Sequence, residues 1–275
     1  MINFNVNEDL CVQCGLCTKC CPFAAIELDE YPRMADENKC IKCQQCLTVC
    51  PTAAISILGK SPEDSTALKG NFPEPEKMAT LIKGRRSVRN YKNENVDDED
   101  IKTLLDVCWH APTGVNSQDV FITLMDDLES TKAFGEEVYR LIGESVKSGQ
   151  FDDNFKMDYL KLAYTVREEN GLDIIFRGAP HFVVASAPAD SPCPVVDTHI
   201  FLSYFELMAQ SMKLGTLWNG ILKWAIDGVY PELRSKLGIP ENHLVGHVML
   251  LGKPAVKYQR TVERGRANVN RVVWK

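Results

Sequence analysis

The chain has 275 residues, 45% of them hydrophobic and 25% charged, and its 31 Lys and Arg against 37 Asp and Glu leave a net charge of −6. These proportions suit a globular protein and exclude a disordered or fibrous one; the acidic balance argues against nucleic acid as a partner. The 11 cysteines are the anomaly, because all but Cys108 and Cys193 crowd between Cys11 and Cys50. Apolar runs such as Ile174–Phe176 and His247–Leu251 are too short to span a bilayer, so no membrane partner is expected. Met1–Leu10 carries Glu8 and Asp9 and lacks the basic and apolar regions of a signal peptide, which predicts a cytoplasmic chain. Thiols stay reduced there, so the dense cysteines read as metal or cluster ligands and not as disulfides.

Residues 1–58 contain a repeat. Cys11, Cys14, Cys17 and Cys21 precede Pro22 and an Ala-Ala-Ile tail; Cys40, Cys43, Cys46 and Cys50 precede Pro51 and the same tail. Each run is C-x2-C-x2-C-x3-C-P, the spacing of bacterial ferredoxins. Three thiolates three residues apart reach three irons of one cubane, and the cysteine before proline serves the other. One [4Fe-4S] cluster is therefore assigned to Cys11, Cys14, Cys17 and Cys50, the second to Cys40, Cys43, Cys46 and Cys21. Zinc sites pair their ligands differently, in two separated couples. Cys20 is surplus; it is the alternative to Cys21, but the proline register and the second repeat select Cys21. Gly15 gives backbone freedom where the first loop curls, although Gln44 holds the matching place in the second. The segment resembles a two-cluster bacterial-type ferredoxin domain, which implies short helices and hairpins and one-electron transfer at low potential.

Residues 59–75, with Gly59, Pro62, Gly70, Pro73 and Pro75, read as a linker. A second domain then spans 76–275. Its predicted elements are a helix at Glu76–Lys83, a helix at Asp98–His110 with an acidic first turn, and a strand at Val120–Met125. A helix at Thr131–Lys147 follows, then a polar stretch to Gly171 expected as a mobile lid. His181–Ala187 is the next strand. Thr198–Leu214 reads as a long apolar helix capped by Gly215; Thr216–Trp218 and Val245–Leu251 read as strands.

Two local patterns carry chemistry. Arg85-Arg86-Ser87-Val88-Arg89 sets guanidinium forks beside a hydroxyl, which suits a phosphate, although three arginines in five residues taken alone are more often a solvated surface. Ala111-Pro112-Thr113-Gly114-Val115-Asn116-Ser117-Gln118 taken alone is a turn. In this order, followed by Leu214-Gly215-Thr216-Leu217-Trp218-Asn219-Gly220, Gly252-Lys253-Pro254 and Val272-Val273-Trp274, they resemble the nitroreductase family of FMN-dependent oxidoreductases. The resemblance covers Glu76 to Lys275. It implies an α+β domain that forms a homodimer with FMN at the interface, for which the apolar helix would suit. It also implies that Arg85, Arg86, Ser87 and Arg89 bind the phosphate and nearby atoms. Pro112, Thr113, Asn116 and Gln118 would approach from the opposite protomer. Leu217, Asn219 and Gly220 would border the ring system, with backbone N–H groups of the last two near its reactive N5. One or more of Arg260, Arg264 and Arg266 would close on the phosphate, and the tail would wrap onto the partner and end as a strand at Val272–Trp274. The chain departs from the family at Asp119-Val120, where Pro-Trp is common.

The expectation is α+β throughout: a small two-cluster domain followed by a flavin domain. Electrons would pass from a low-potential, ferredoxin-like donor protein through two [4Fe-4S] clusters to FMN and on to a nitroaromatic, quinone or activated alkene. The first alternative is direct reduction of the flavin by NAD(P)H; no G-x-G-x-x-G follows a strand, which excludes only a Rossmann nicotinamide domain. The second is a non-catalytic electron-transfer or sensing module with its flavin face closed by Phe151–Gly171 or Trp218. The five histidines and Cys108 read as structural, and Cys193 has no evident role.

Overall fold

The computed structural model describes residues 2–149 and 155–274. The chain divides into two compact units, Met1–Pro73 with Gly114–Gln118, and Glu74–Thr113 with Asp119–Lys275.

The first unit is built twice from one plan. Strand β1 (Phe4–Val6) pairs antiparallel with β4 (Ile55–Ile57), and β2 (Ile26–Leu28) pairs antiparallel with β3 (Pro32–Met34). Two single-turn helices, α1 (Leu16–Lys19) and α2 (Gln45–Thr48), each follow a residue in the left-handed region, Gly15 at φ 69° and Gln44 at φ 58°. Left-handed residues recur in register through both repeats: Gln13 with Lys42, Gly15 with Gln44, Ala24 with Ala53. Of these six only one is glycine, and each of the others costs on the order of 1 kcal/mol. The core is small, with Cys17, Cys46, Ile26, Leu47, Ile55 and Ile57 buried together. Residues 59–75 contain one short 3-10 turn at Pro62–Asp64.

The second unit is an antiparallel sheet with helices on both faces. It consists of β5 (Phe121–Met125), β6 (His181–Pro188), β7 (Gly215–Trp218) and β8 (His243–Gly252), in the spatial order β5-β6-β8-β7. β6 sits inside, which explains why it is buried along nearly its whole length, the polar His181 and Ser186 included. Phe182 and Val184 face one core, Val183 and Ala185 the other, and β8 alternates likewise through Val248 and Leu250 against Met249 and Leu251. Helices α5 (Leu128–Ser148) and α6 (Phe155–Asn170) contribute to the first core. Helices α4 (Asp98–Cys108) and α7 (Pro194–Ser211) contribute to the second. Helix α3 (Pro75–Gly84) starts on a proline whose missing N–H is no loss at that position, and α8 (Gly220–Trp224) follows β7 directly.

Three expectations need correction. The stretch expected as a lid is helical from Phe155 to Asn170, because Met157, Leu160 and Ala163 recur at i, i+3 and i+6 and are buried; residues 150–154 of that stretch lie outside the described residues. Gly215 does not cap α7. Lys213, at φ 63°, turns the chain after the helix, and Gly215 is already the first residue of β7. Val272–Trp274 forms no strand: the three side chains are exposed and the backbone pairs with nothing in the sheet. Among the described residues no helix is long and apolar enough to cross a membrane.

Candidate functional site

In the first unit one of the two assigned sets of thiols is brought together. Cys21, Cys40, Cys43 and Cys46 line one cavity together with Ile26 and Ile57, and Cys20 is not among the lining residues. Ala25 N–H donates to Cys21 Sγ at 3.2 Å, and Ala54 N–H donates to Cys50 Sγ at 3.2 Å. The two bonds match across the repeat, and each gives the sulfur before the proline a backbone donor. Both loops carry left-handed residues separated by one residue, Gln13 and Gly15 in the first and Lys42 and Gln44 in the second, a backbone pattern of the kind that forms anion-binding concavities. Burial pushes the Cys17 thiol up and Cys46 to about 11, so both stay protonated unless a positive centre binds them. Four thiols around a hollow in an apolar wall fit a cubane. Among the described residues no His, Cys, Asp or Glu group closes on a point the size of a single ion.

The 85–89 segment is strapped along the free edge of β7. Val88 N–H donates to Thr216 O at 2.9 Å, and Ser87 bridges Thr216 in parallel fashion. The approach is close because residue 215 is glycine: a Cβ there would lie 2.6 Å from Val88 Cγ2. Val88 itself is buried, so its arginine neighbours are held in fixed places. Arg85 Nη1 donates to Glu206 Oε1 on α7 at 3.0 Å, in a pair largely removed from solvent. Arg86 Nε donates to the Arg85 carbonyl, and Arg89 Nη1 donates to the Ser87 carbonyl at 3.3 Å. Three guanidinium groups on one strap fit an anion such as a phosphate.

The tail returns along the same strap. Lys92 N–H donates to Lys253 O, Ala255 N–H to Asn90 O, and Val262 N–H to Lys83 O, while Lys83 Nζ meets Glu263 at 2.8 Å. Arg260 therefore lies within the stretch that runs antiparallel to residues 83–92. Arg264 and Arg266 lie past its last tether, and all three are exposed.

The residue after β7 does more than the sequence suggested. Asn219 is buried; its side chain donates to Ile175 O at 2.8 Å and accepts from Leu222 N–H at 3.0 Å, capping α8. Its backbone N–H donates to Val248 O at 2.8 Å, so that group is spent inside the sheet. This corrects the expectation of two N–H groups for a flavin N5. Gly220 alone remains, at the first position of α8, where a helix offers its N–H no carbonyl. Leu217 is half-buried against the first core, and Trp218 meets His199 and His247 on the other face.

The remaining expected residues divide. Pro112 and Thr113 belong to the second unit; Asn116 and Gln118 belong to the first, where Asn116 Nδ2 donates to Ile41 O at 2.9 Å. Val115, Asn116 and Gln118 all adopt left-handed φ, a strain that marks the segment as more than a connecting turn. Asp119 accepts from Ser191 Oγ and Val120 is buried in the second core. Burial pushes the Cys108 thiol up to about 12, which leaves it inert. Glu206 was missed; its one signal was an acidic residue inside the apolar run Phe201–Met208.

The nitroreductase family model matches residues 82–253, and the model of a 4Fe-4S dicluster domain matches residues 10–54. A protein of Archaeoglobus fulgidus, provisionally named an NADH dehydrogenase/NAD(P)H nitroreductase, is 27% identical over 183 residues, covering 65% of this chain and 86% of its own. Among solved structures, a nitroreductase with bound FMN from Bacteroides fragilis aligns with a TM-score of 0.56 at 23% identity, over 71% of this chain and 99% of that one. Another with bound FMN, from Desulfitobacterium hafniense, aligns with a TM-score of 0.54 at 22% identity, over 70% and 98%. At such identities the structural likeness establishes the fold.

Proposed function

We propose, for a chain that belongs to the nitroreductase family and carries a 4Fe-4S dicluster domain, that it reduces a small acceptor on FMN with electrons delivered through two [4Fe-4S] clusters. Family membership makes it an oxidoreductase; the electron path, the donor protein and the acceptor class (nitroaromatic, quinone or activated alkene) are our reading. The observation that carries it is the presence of eight thiols in two ferredoxin runs on the same chain as a nitroreductase fold. When bound, the clusters supply one-electron transfer, and the flavin links one-electron to two-electron chemistry.

The protein's part is to hold and to exclude. Cys11, Cys14, Cys17 and Cys50 would hold one cluster, and Cys40, Cys43, Cys46 and Cys21 the other. The N–H groups of Ala25 and Ala54 would donate to the cluster-bound sulfurs of Cys21 and Cys50. Arg85, Arg86, Ser87 and Arg89 would bind the flavin phosphate, with Arg260 the tail arginine assigned to help. Gly220 N–H would donate to the flavin edge, and Leu217 would wall the ring from the protein side. We assign Pro112, Thr113, Asn116 and Gln118 to the flavin of a second copy, so that the working form is a cytoplasmic homodimer. We place the domain limits at 1–58 and 76–275.

The second reading, direct reduction by NAD(P)H, draws on the name of the Archaeoglobus relative. Stopped-flow mixing of the anaerobic, fully loaded protein with a reduced one-electron carrier, NADH or NADPH separates the two. Fast flavin bleaching by the carrier and slow bleaching by both nicotinamides is expected; the reverse order supports the second reading.

A further inference from the structure

Glu206 is a carboxylate inside an apolar helix, 8% exposed, and its partner is Arg85 Nη1 at 3.0 Å. Its neighbours Phe201, Leu202, Phe205 and Ala209 pack into the second core, so an apolar side chain would suit the place. A buried ion pair is a poor device for stability, since desolvation of both charges consumes most of the attraction. The pair does something else well. Arginine carries five N–H donors in a rigid planar fork. Holding one arm against a fixed carboxylate leaves the other edge aimed and removes the rotamer freedom that binding an anion would otherwise have to freeze. Arg85 is also the residue that ends α3, and the strap beyond it is pinned by Val88 to Thr216. Its guanidinium is thus fixed from two sides, through the backbone and through Glu206.

We propose that Glu206 is a positioning residue for the flavin phosphate. It acts through Arg85, presents the free edge of the guanidinium to the phosphate, and so sets the preference of the site for a phosphorylated flavin over riboflavin. This rests on the reading of residues 85–89 as the phosphate-binding strap.

The test titrates FMN and riboflavin into the full-length, cluster-loaded, flavin-free chain and follows quenching of flavin fluorescence. E206Q keeps the side-chain volume and one acceptor oxygen. It is expected to weaken FMN about tenfold, the scale of one charge-assisted contact, and to leave riboflavin within about twofold. R85A should lose the FMN preference altogether, and R85A/E206Q should bind FMN as R85A does, because Glu206 works through that arginine. Unchanged or tighter FMN binding by E206Q overturns the proposal, the tighter result because it would make Glu206 a competitor of the phosphate. An equal loss for FMN and riboflavin overturns it too, since that is a general structural effect. If R85A itself keeps the FMN preference, the phosphate-strap reading fails first; if R85A loses it and E206Q does not, only the role of Glu206 fails.

Discussion

Gly215→Ala is a one-methyl change with a large expected consequence. The new Cβ would lie 2.6, 2.8 and 2.9 Å from Val88 Cγ2, Cβ and Cγ1. Comfortable contact between carbons begins at about 3.5 Å, so strap and strand must part by roughly 1 Å. Val88 is 1% exposed and cannot swing into solvent. Parting by that distance stretches the 2.9 Å bond from Val88 N–H to Thr216 O beyond hydrogen-bonding range. Overpacking costs about 1–3 kcal/mol and the lost bond about 1 kcal/mol, together about 2–4 kcal/mol. In a unit of about 200 residues this lowers the melting temperature by roughly 4–16 °C. FMN affinity should fall with it, because Arg85, Ser87 and Arg89 ride on the strap. Thermal unfolding followed by circular dichroism and a flavin titration measure both, and G215A/V88A should recover little of either loss because the residue-88 Cβ, 2.8 Å from the new methyl, remains. A G215A protein that melts within about 1 °C of the wild type and binds FMN equally well refutes the reasoning.

Three further outcomes follow from the same geometry. C20A should retain about eight irons per chain on anaerobic purification and C21A about four, measured by iron and sulfide assay, with the opposite pattern showing that Cys20 is the ligand. Asn219→Ala removes the cap on α8 and the tie to Ile175 O, and should destabilise by about 2–4 kcal/mol in urea unfolding, and Asn219→Asp, which keeps the acceptor for Leu222 N–H but sets a buried carboxylate oxygen against Ile175 O, should lose at least as much. Burial holds His181 below its ordinary value of 6.5, against the opposing pull of the Met125 backbone, Asp126 and Asp127, and its Nε2 accepts from Val96 N–H at 2.9 Å as a neutral ring does. The unfolded state takes up its proton first as pH falls, so this contribution is intact above about pH 6.5 and is lost below it. Urea midpoints of the wild type at pH 7.5 and pH 5.5 should show the drop, and H181Q should show a smaller one.

The cysteines were legible because cluster ligation is local chemistry, written as spacing within two short loops. The sheet was legible for a related reason: β6 is buried on both faces and so reads as a mostly apolar stretch, His181 to Ala187, with only His181 and Ser186 polar. α6 was harder. Its inward residues Met157, Leu160 and Ala163 share the helix with exposed Phe155, Tyr159 and Leu162, and the mixed pattern hides the stripe. Gly215 looked like a helix cap because it follows an apolar helix, but its reason lies at Val88, over a hundred residues away in sequence. Glu206 has the same character. Its meaning depends on Arg85, and only the folded chain brings the two together. The tail Val269–Trp274 has apolar residues with no partner in a single chain, so its sequence suggested a strand that the chain alone does not form.

The central claim is that electrons reach the flavin by way of the clusters. The most direct measurement mixes the anaerobic protein, loaded with FMN, with a reduced one-electron carrier and follows the flavin absorbance in stopped flow, in the wild type and in C46S. Cys46 is buried at the wall of its cavity, so its loss should disable one cluster without touching the flavin strap. Bleaching slowed by at least about tenfold in C46S, with FMN content and affinity unchanged, is the predicted result. Equal rates in the two proteins would contradict the account.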